Sequence, residues 1–151
     1  MVFHKTVVDW SEIRQNIELI HNRTATLDKG NIAIIGIARG GLIPATLLSQ
    51  LKENSTVFSI GIKSYNKTSR SKEIVYQDLN RKSIDNYDTI YLIDDISDTG
   101  LTFRFLLDKY FTGLSIKTIS LFLKAKSLYK PDFYGTELLG ETWVVFPWEK
   151  E

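Results

Sequence analysis

Asp94 and Asp95 stand side by side at the end of an apolar, β-branched run, Ile90-Tyr91-Leu92-Ile93. A third acid, Asp98, follows in the short stretch Ile96-Ser97-Asp98-Thr99-Gly100, which turns into a helical pattern beginning Leu101-Thr102. Paired carboxylates at a strand end can hold sugar hydroxyls or a divalent metal. A hydroxyl-rich loop opening a helix offers backbone N–H groups and the positive end of the helix dipole to a phosphate. The segment therefore asks for a ligand that is at once a polyol, a metal chelate and a phosphate monoester. A phosphorylated ribose meets all three demands. Adjacent strand residues point to opposite faces, so both acids reach one sugar only if the strand ends ahead of them.

Other strand ends carry chemistry too. The run Ile32–Gly36 leads into Ile37-Ala38-Arg39-Gly40-Gly41, and the run Ile116–Leu123 leads to Lys124. Arg39, delocalised and permanently charged, suits phosphate oxygens better than a lysine does. Gly40 and Gly41 let backbone N–H groups approach an anion closely. Ligands of open α/β sheets sit beyond the carboxyl ends of the strands, so these ends converge on one site. Each residue alone has a plainer reading: Arg39 as a loop arginine, Lys124 as a surface lysine, Trp143 and Trp148 as packing residues. His4 and His21 show no partner pattern and read as structural or surface residues.

These residues need a scaffold to hold them. Trp10, Ile13, Ile17 and Ile20 recur at helical spacing, and Asp9 with Glu12 forms a capping-box pattern ahead of them. That helix fades near Asn22, and Asp28-Lys29-Gly30-Asn31 is turn chemistry. Pro44 sits in the first turn of the next helix, Leu42 onward, where helical N–H partners are lacking anyway. Strands are expected at 32–36, 56–62, 89–93 and 116–123, with a helix over Thr102–Phe111. The segment from about 63 to 82 is polar, and the tail from Pro131 is aromatic and irregular. Apolar strands alternating with helices predict an α/β fold, a central mostly parallel sheet flanked by helices on both faces.

The chain has 151 residues, enough for one domain with a sizeable core, and its net charge is +1. That balance gives no electrostatic case for nucleic acid or a membrane surface as partner. No run of about 18 apolar residues is present to span a bilayer, and residues 1–10 lack a signal peptide's apolar core. There are no cysteines, which removes disulfides, thiolate metal sites and cysteine nucleophiles together. A cytoplasmic location is the expectation. Neither a P-loop nor a dinucleotide-binding glycine pattern is present. A phosphoacceptor receiver domain would place its acidic pair early, whereas here the pair stands at residue 94 of 151.

Ile93-Asp94-Asp95-Ile96-Ser97-Asp98-Thr99-Gly100-Leu101-Thr102 resembles the phosphoribosyl-pyrophosphate (PRPP) signature of the type I phosphoribosyltransferases. Ala38-Arg39-Gly40-Gly41-Leu42-Ile43-Pro44 resembles their pyrophosphate loop, and Ser64-Tyr65 stands where these enzymes begin a mobile lid. The ending Glu141-Thr142-Trp143-Val144-Val145-Phe146-Pro147-Trp148 is similar to the base-binding hood of the bacterial xanthine–guanine phosphoribosyltransferases. The resemblance runs from about Trp10 to Trp148. It implies transfer of a 5-phosphoribosyl group from PRPP to a 6-oxopurine (guanine, xanthine or hypoxanthine), giving the nucleoside 5′-monophosphate and pyrophosphate with magnesium (Mg2+).

In that scheme Asp98 is the catalytic base or the stabiliser of the cationic sugar. Asp94 and Asp95 hold the ribose hydroxyls, directly or through the metal. Ser97, Asp98, Thr99, Gly100, Leu101 and Thr102 enclose the 5′-phosphate end. Ala38, Arg39, Gly40 and Gly41 take the pyrophosphate, and the peptide that stands at Ala38–Arg39 is often cis in that family. Lys124 donates to the exocyclic oxygen of the base, Trp143 stacks on it and the Val144 backbone reads its edge. The resemblance also implies one domain over 1–151, a lid over about 63–82, a hood over about 124–151, and a dimer or tetramer. Val145 departs from the xanthine–guanine pattern, which carries an acidic residue there. The rival readings are a non-catalytic PRPP- or nucleotide-sensing regulator on the same fold, and a phosphoribosyltransferase for another nucleobase.

Overall fold

The apolar runs β2 (Ile32–Ala38) and β5 (Thr89–Ser97) lie at the middle of the sheet in the computed structural model, which describes residues 4–66 and 71–150. Every β2 residue is buried, as expected of a strand covered on both faces. On one side β2 pairs in parallel with β3 (Ser55–Asn66), and β3 pairs antiparallel with β4 (Ser71–Gln77). On the other side β5 is followed by β6 (Lys117–Lys124) and β7 (Phe133–Leu138), both parallel. The strand order is β4-β3-β2-β5-β6-β7, so only the edge strand β4 breaks the parallel pattern.

Helices cover both faces. Helices α1 (Trp10–Thr24) and α2 (Leu42–Leu51) pack on one, around Ile13, Ile17, Ile20, Ala45 and Leu48 against Ile34, Tyr91, Ile93 and Leu121. The opposite face packs Ile35, Ile60 and Leu92 against Phe103, Leu106 and Phe111. The capping box at α1 is formed: the Glu12 amide donates to Asp9 at 2.9 Å, and the Asp9 amide donates to Glu12 at 3.2 Å. This fixes where the chain enters α1. Among the described residues no helix is long and apolar enough to cross a membrane.

Several expectations need correction. The helix over Thr102–Phe111 is instead a short α3 (Leu101–Phe105) continued by a π-helical turn (Leu106–Tyr110), closed by the Phe111 amide on the Leu106 carbonyl at 2.7 Å. The polar segment after residue 62 is largely an antiparallel arm in which β3 continues to Asn66 and β4 returns; residues 67–70 lie outside the described residues. Polar residues there suit strands that project past the sheet and need no apolar face. The tail after Pro131 is not irregular either. It contains β7 and β8 (Thr142–Val145), and β8 pairs in parallel with the N-terminal β1 (His4–Val7) as a separate two-stranded sheet. These pairings join opposite ends of the chain, and no local period announces them.

Because Ile34 is fully buried between α1, α2 and the sheet, Ile34→Ala is expected to lower unfolding stability by about 2–5 kcal/mol. A urea titration should show a lower midpoint at an unchanged slope.

Candidate functional site

Strand β5 does not stop before its acids but runs on through Ser97, so the loop shrinks to the few residues ahead of α3. The strand therefore does not end ahead of the acids, yet their carboxyl groups stay within hydrogen-bond reach of each other while bordering different cavities. Asp94 lines a small cup of about 80 Å³ with Ser97, Asp98, Thr99, Gly100, Thr102 and Phe103. Asp95 lines a separate open cleft of about 810 Å³ with Ala38, Arg39, Gly40, Ile62, Lys63, Tyr76, Trp148 and Glu149. The cup and the cleft flank the carboxyl end of one strand.

Backbone geometry makes room for both. The Ala38–Arg39 peptide is cis, as the family's loop often is. A Cβ added at Gly40 would lie 2.1 Å from Asp95 Oδ2, so only glycine lets the loop lie against that carboxylate. At Gly41 a Cβ would meet the Ile93 carbonyl at 2.3 Å, which seats the loop on β5 itself. Gly100 has φ of 83°, left-handed backbone that favours glycine, and a Cβ there would lie 2.5 Å from the Tyr129 nitrogen. The Arg104 amide donates to the Gly100 carbonyl at 3.2 Å, closing the first turn of α3. The amides of Thr102 and Phe103 precede that ladder, on residues that line the cup.

A clamp invisible to local patterns supports the cup. The Leu128 amide donates to the Thr99 carbonyl at 2.9 Å, and the Ser97 and Ser127 hydroxyls lie 2.9 Å apart, each also donating to the Tyr129 carbonyl. Tyr129 stacks on Phe103, with ring centroids 5.5 Å apart.

The electrostatics are lopsided. Asp94 Oδ1 accepts from the Asp95 amide at 2.9 Å, and Asp95 Oδ1 accepts from the Ile96 amide at 2.8 Å. Burial pushes the Asp94 carboxyl well above the ordinary range, and the neighbouring Asp95 charge adds to it. Burial raises Asp95 as well, and the charge of Glu149 contributes. Among the described residues, neither acid has a salt-bridge partner. The buried Lys124 is paired instead with half-exposed Asp98, Nζ to Oδ1 at 3.1 Å.

Other expected residues fall less centrally. Gly41 is buried beneath the cleft and does not line it, while exposed Leu101 lies at the start of α3, outside the cup. Ser64 donates to Glu73 across the arm at 2.7 Å, and Tyr65 stands exposed; neither lines the cleft. Trp143 is 63% exposed on β8 and lines neither cavity, and the Val144 side chain is in the core. Unforeseen members are Lys63, Tyr76, Glu149 and Lys150 in the cleft, and Ser127 with Tyr129 behind the cup. Trp148 also lines the cleft, stacked on Phe146 at 4.8 Å and tilted against Trp10 at 5.8 Å. The aromatic ending was its one signal.

The carboxylate pair suits a hard cation. Its donors are oxygens, one on each acid is free of the hydrogen bonds just described, and both groups resist ionisation without an added positive charge. No group of three or more acidic or histidine ligands occurs among the described residues. Magnesium takes one or two such carboxylates and completes its shell with water and substrate phosphates.

The family model described as a phosphoribosyl transferase domain matches residues 8–151. A xanthine–guanine phosphoribosyltransferase of Nitratidesulfovibrio vulgaris is 32% identical over 151 residues, covering 95% of this chain and 84% of its own. That of Idiomarina loihiensis is 25% identical over 143 residues, covering 94% and 85%. Among solved structures, a purine phosphoribosyltransferase from Pyrococcus horikoshii is similar at a TM-score of 0.83 and 29% identity, covering 97% of this chain and 95% of that one.

Both acids are harder to ionise folded than unfolded, so their stabilising protonated state is present at low pH. It is lost as pH rises above the usual carboxylate value of about 4. Asp94→Asn is therefore expected to raise the melting temperature by about 2–4 °C at pH 8, with the gain shrinking toward pH 4. Thermal melts across that range check it; a gain independent of pH would point to packing instead of charge.

Proposed function

As the chain belongs to the phosphoribosyl transferase domain family, we propose that it transfers the 5-phosphoribosyl group of PRPP to a 6-oxopurine, in purine salvage. The observation that carries the reading is the division of Asp94 and Asp95 between cup and cleft at one strand end. A sugar lying across that end meets both acids with its hydroxyls. Its 5′-phosphate then falls in the cup, against Thr99, Gly100, Thr102 and the backbone at the start of α3. Its pyrophosphate falls in the cleft, against Arg39 and the Ala38–Gly41 backbone.

The chemistry follows from charge. As the C1–oxygen bond breaks, negative charge grows on pyrophosphate and positive charge on the ribose ring. Arg39 is placed for the first, and the acids for the second. Magnesium, held by Asp94 and Asp95 with PRPP oxygens, would neutralise the leaving group. Lys124 and Asp98 form the base end. The exocyclic oxygen of a 6-oxopurine competes for the Lys124 ammonium and frees Asp98 to take the imidazole proton. Adenine presents an amino group there, leaving the buried lysine unpaired with base, which is costly. Trp143 and the Val144 backbone complete that end as the hood of residues 124–151 closes, and the arm over 63–82 serves as lid. Ser64 and Tyr65 belong to that lid. We place the enzyme in the cytoplasm as a single domain that assembles into a dimer or tetramer.

Purified protein with PRPP, magnesium and each nucleobase in turn gives the test, read spectrophotometrically. Nucleotide formed from guanine, xanthine or hypoxanthine is expected. No product from any base would favour a sensing role, and turnover of pyrimidines alone would move the enzyme to another substrate class. Lys124→Ala is expected to narrow the preference for guanine over adenine by about tenfold or more; an unchanged ratio would contradict its role.

A further inference from the structure

The arm carries a cation that the sequence did not single out. Lys63 lines the cleft across from Arg39, and its ammonium sits over the Tyr76 ring, 5.0 Å from the centroid. Tyr76 owes its position to an irregularity in the β3–β4 pairing. Gly61 is opposite Gln77 and Ile62 opposite Val75, so Tyr76 is the extra residue of a β-bulge on β4. Bulges re-aim a side chain out of the ordinary alternation. Here the ring is laid across Gly61, where an added Cβ would lie 2.5 Å from Tyr76 Cζ. Gly61 in turn pairs with Ala38, the residue before the cis peptide to Arg39. The bulge therefore sits beside the loop that bears Arg39, and Ser64, the expected lid hydroxyl, is committed to Glu73.

We infer that Lys63 is a second cation for the pyrophosphate end of PRPP, and that Tyr76 is the positioning residue that holds it over the cleft. The inference rests on the PRPP reading of the site and deepens it. An exposed lysine on a flexible stem ordinarily loses side-chain freedom when it engages a ligand. The ring face restricts that stem in advance and leaves the ammonium hydrogens free, because cation–π contact uses the quadrupole of the ring and no hydrogen bond. The Tyr76 hydroxyl has no part in this.

The test is titration calorimetry of the intact protein with inorganic pyrophosphate in the presence of magnesium, joined to steady-state kinetics. Lys63→Met is expected to weaken pyrophosphate binding and raise the KM for PRPP by about tenfold, the loss of one charge-assisted contact. The KM for the purine should stay within about twofold of wild type. Tyr76→Leu should reproduce part of that effect, Tyr76→Phe should restore it, and Tyr76→Leu should add nothing in the Lys63→Met background. Unchanged pyrophosphate affinity in Lys63→Met overturns the inference, as does a Tyr76→Leu effect that persists without Lys63 or moves the purine KM equally. Wild-type protein that fails to bind pyrophosphate overturns it too. Pyrophosphate binding that depends on Lys63 without transfer to any base would instead sink the catalytic reading and leave this one standing. Thermal melts of each variant separate a misfolded arm from a lost contact.

Discussion

Two adjacent carboxylates on β5, withdrawn from water and, among the described residues, without a salt-bridge partner, set the terms for everything around them. Buried Lys124 is spent on Asp98. Burial raises both Asp94 and Asp95, the Asp95 charge adding to the first and the Glu149 charge to the second. A fold keeps such a pair at some cost in stability, a common price of a binding site. What relieves it is a ligand bringing donors and positive charge, which is what sugar hydroxyls and a divalent cation supply.

The scaffold accommodates that pair through close backbone approach more than through side chains. Gly40 clears the Asp95 carboxylate, and Gly41 lets the Arg39 loop rest on the Ile93 carbonyl. On the other side of β5, Gly100 clears Tyr129, and the Leu128 amide pins the Thr99 carbonyl. The cup is thus held from behind by the segment after β6, the strand that delivers Lys124 at its end. Farther out, β8 hangs on β1, and Trp148 packs between Phe146 and Trp10. The end of the chain that edges the cleft is therefore tied to the start of α1, whose entry the Asp9–Glu12 box defines.

Much of this could be read from local pattern. The buried strands, the helix faces, the capping box, the turn at Gly30 and the loops after β2 and β5 all follow from residue type and spacing. They depend on backbone sterics and side-chain periodicity within a few residues. The arm was harder. Its residues alternate weakly because the strands project beyond the sheet, and the bulge at Tyr76 shows only when β4 is laid against β3. Strands β7 and β8 were missed because each is defined by a partner far away in the chain. Lys124 taken alone reads as a surface lysine, whereas it is buried and paired with Asp98, which needs β6 beside β5.

By itself the sequence determined the alternation of strand and helix, the acidic run after Ile93, the glycine loop around Arg39 and the absence of thiol chemistry. These are properties of short segments, decided by side-chain volume, charge and permitted backbone angles. Only the tertiary structure decided that Asp94 faces the cup and Asp95 the cleft, that Lys124 neutralises Asp98, and that Lys63 and Trp148 border the cleft with Arg39. The continuation of β5 through Ser97 lets each acid border a different cavity, and the pairing of distant strands sets Lys63 and Trp148 around the cleft. Contacts of that kind arise from packing between remote segments, which no window along the chain contains.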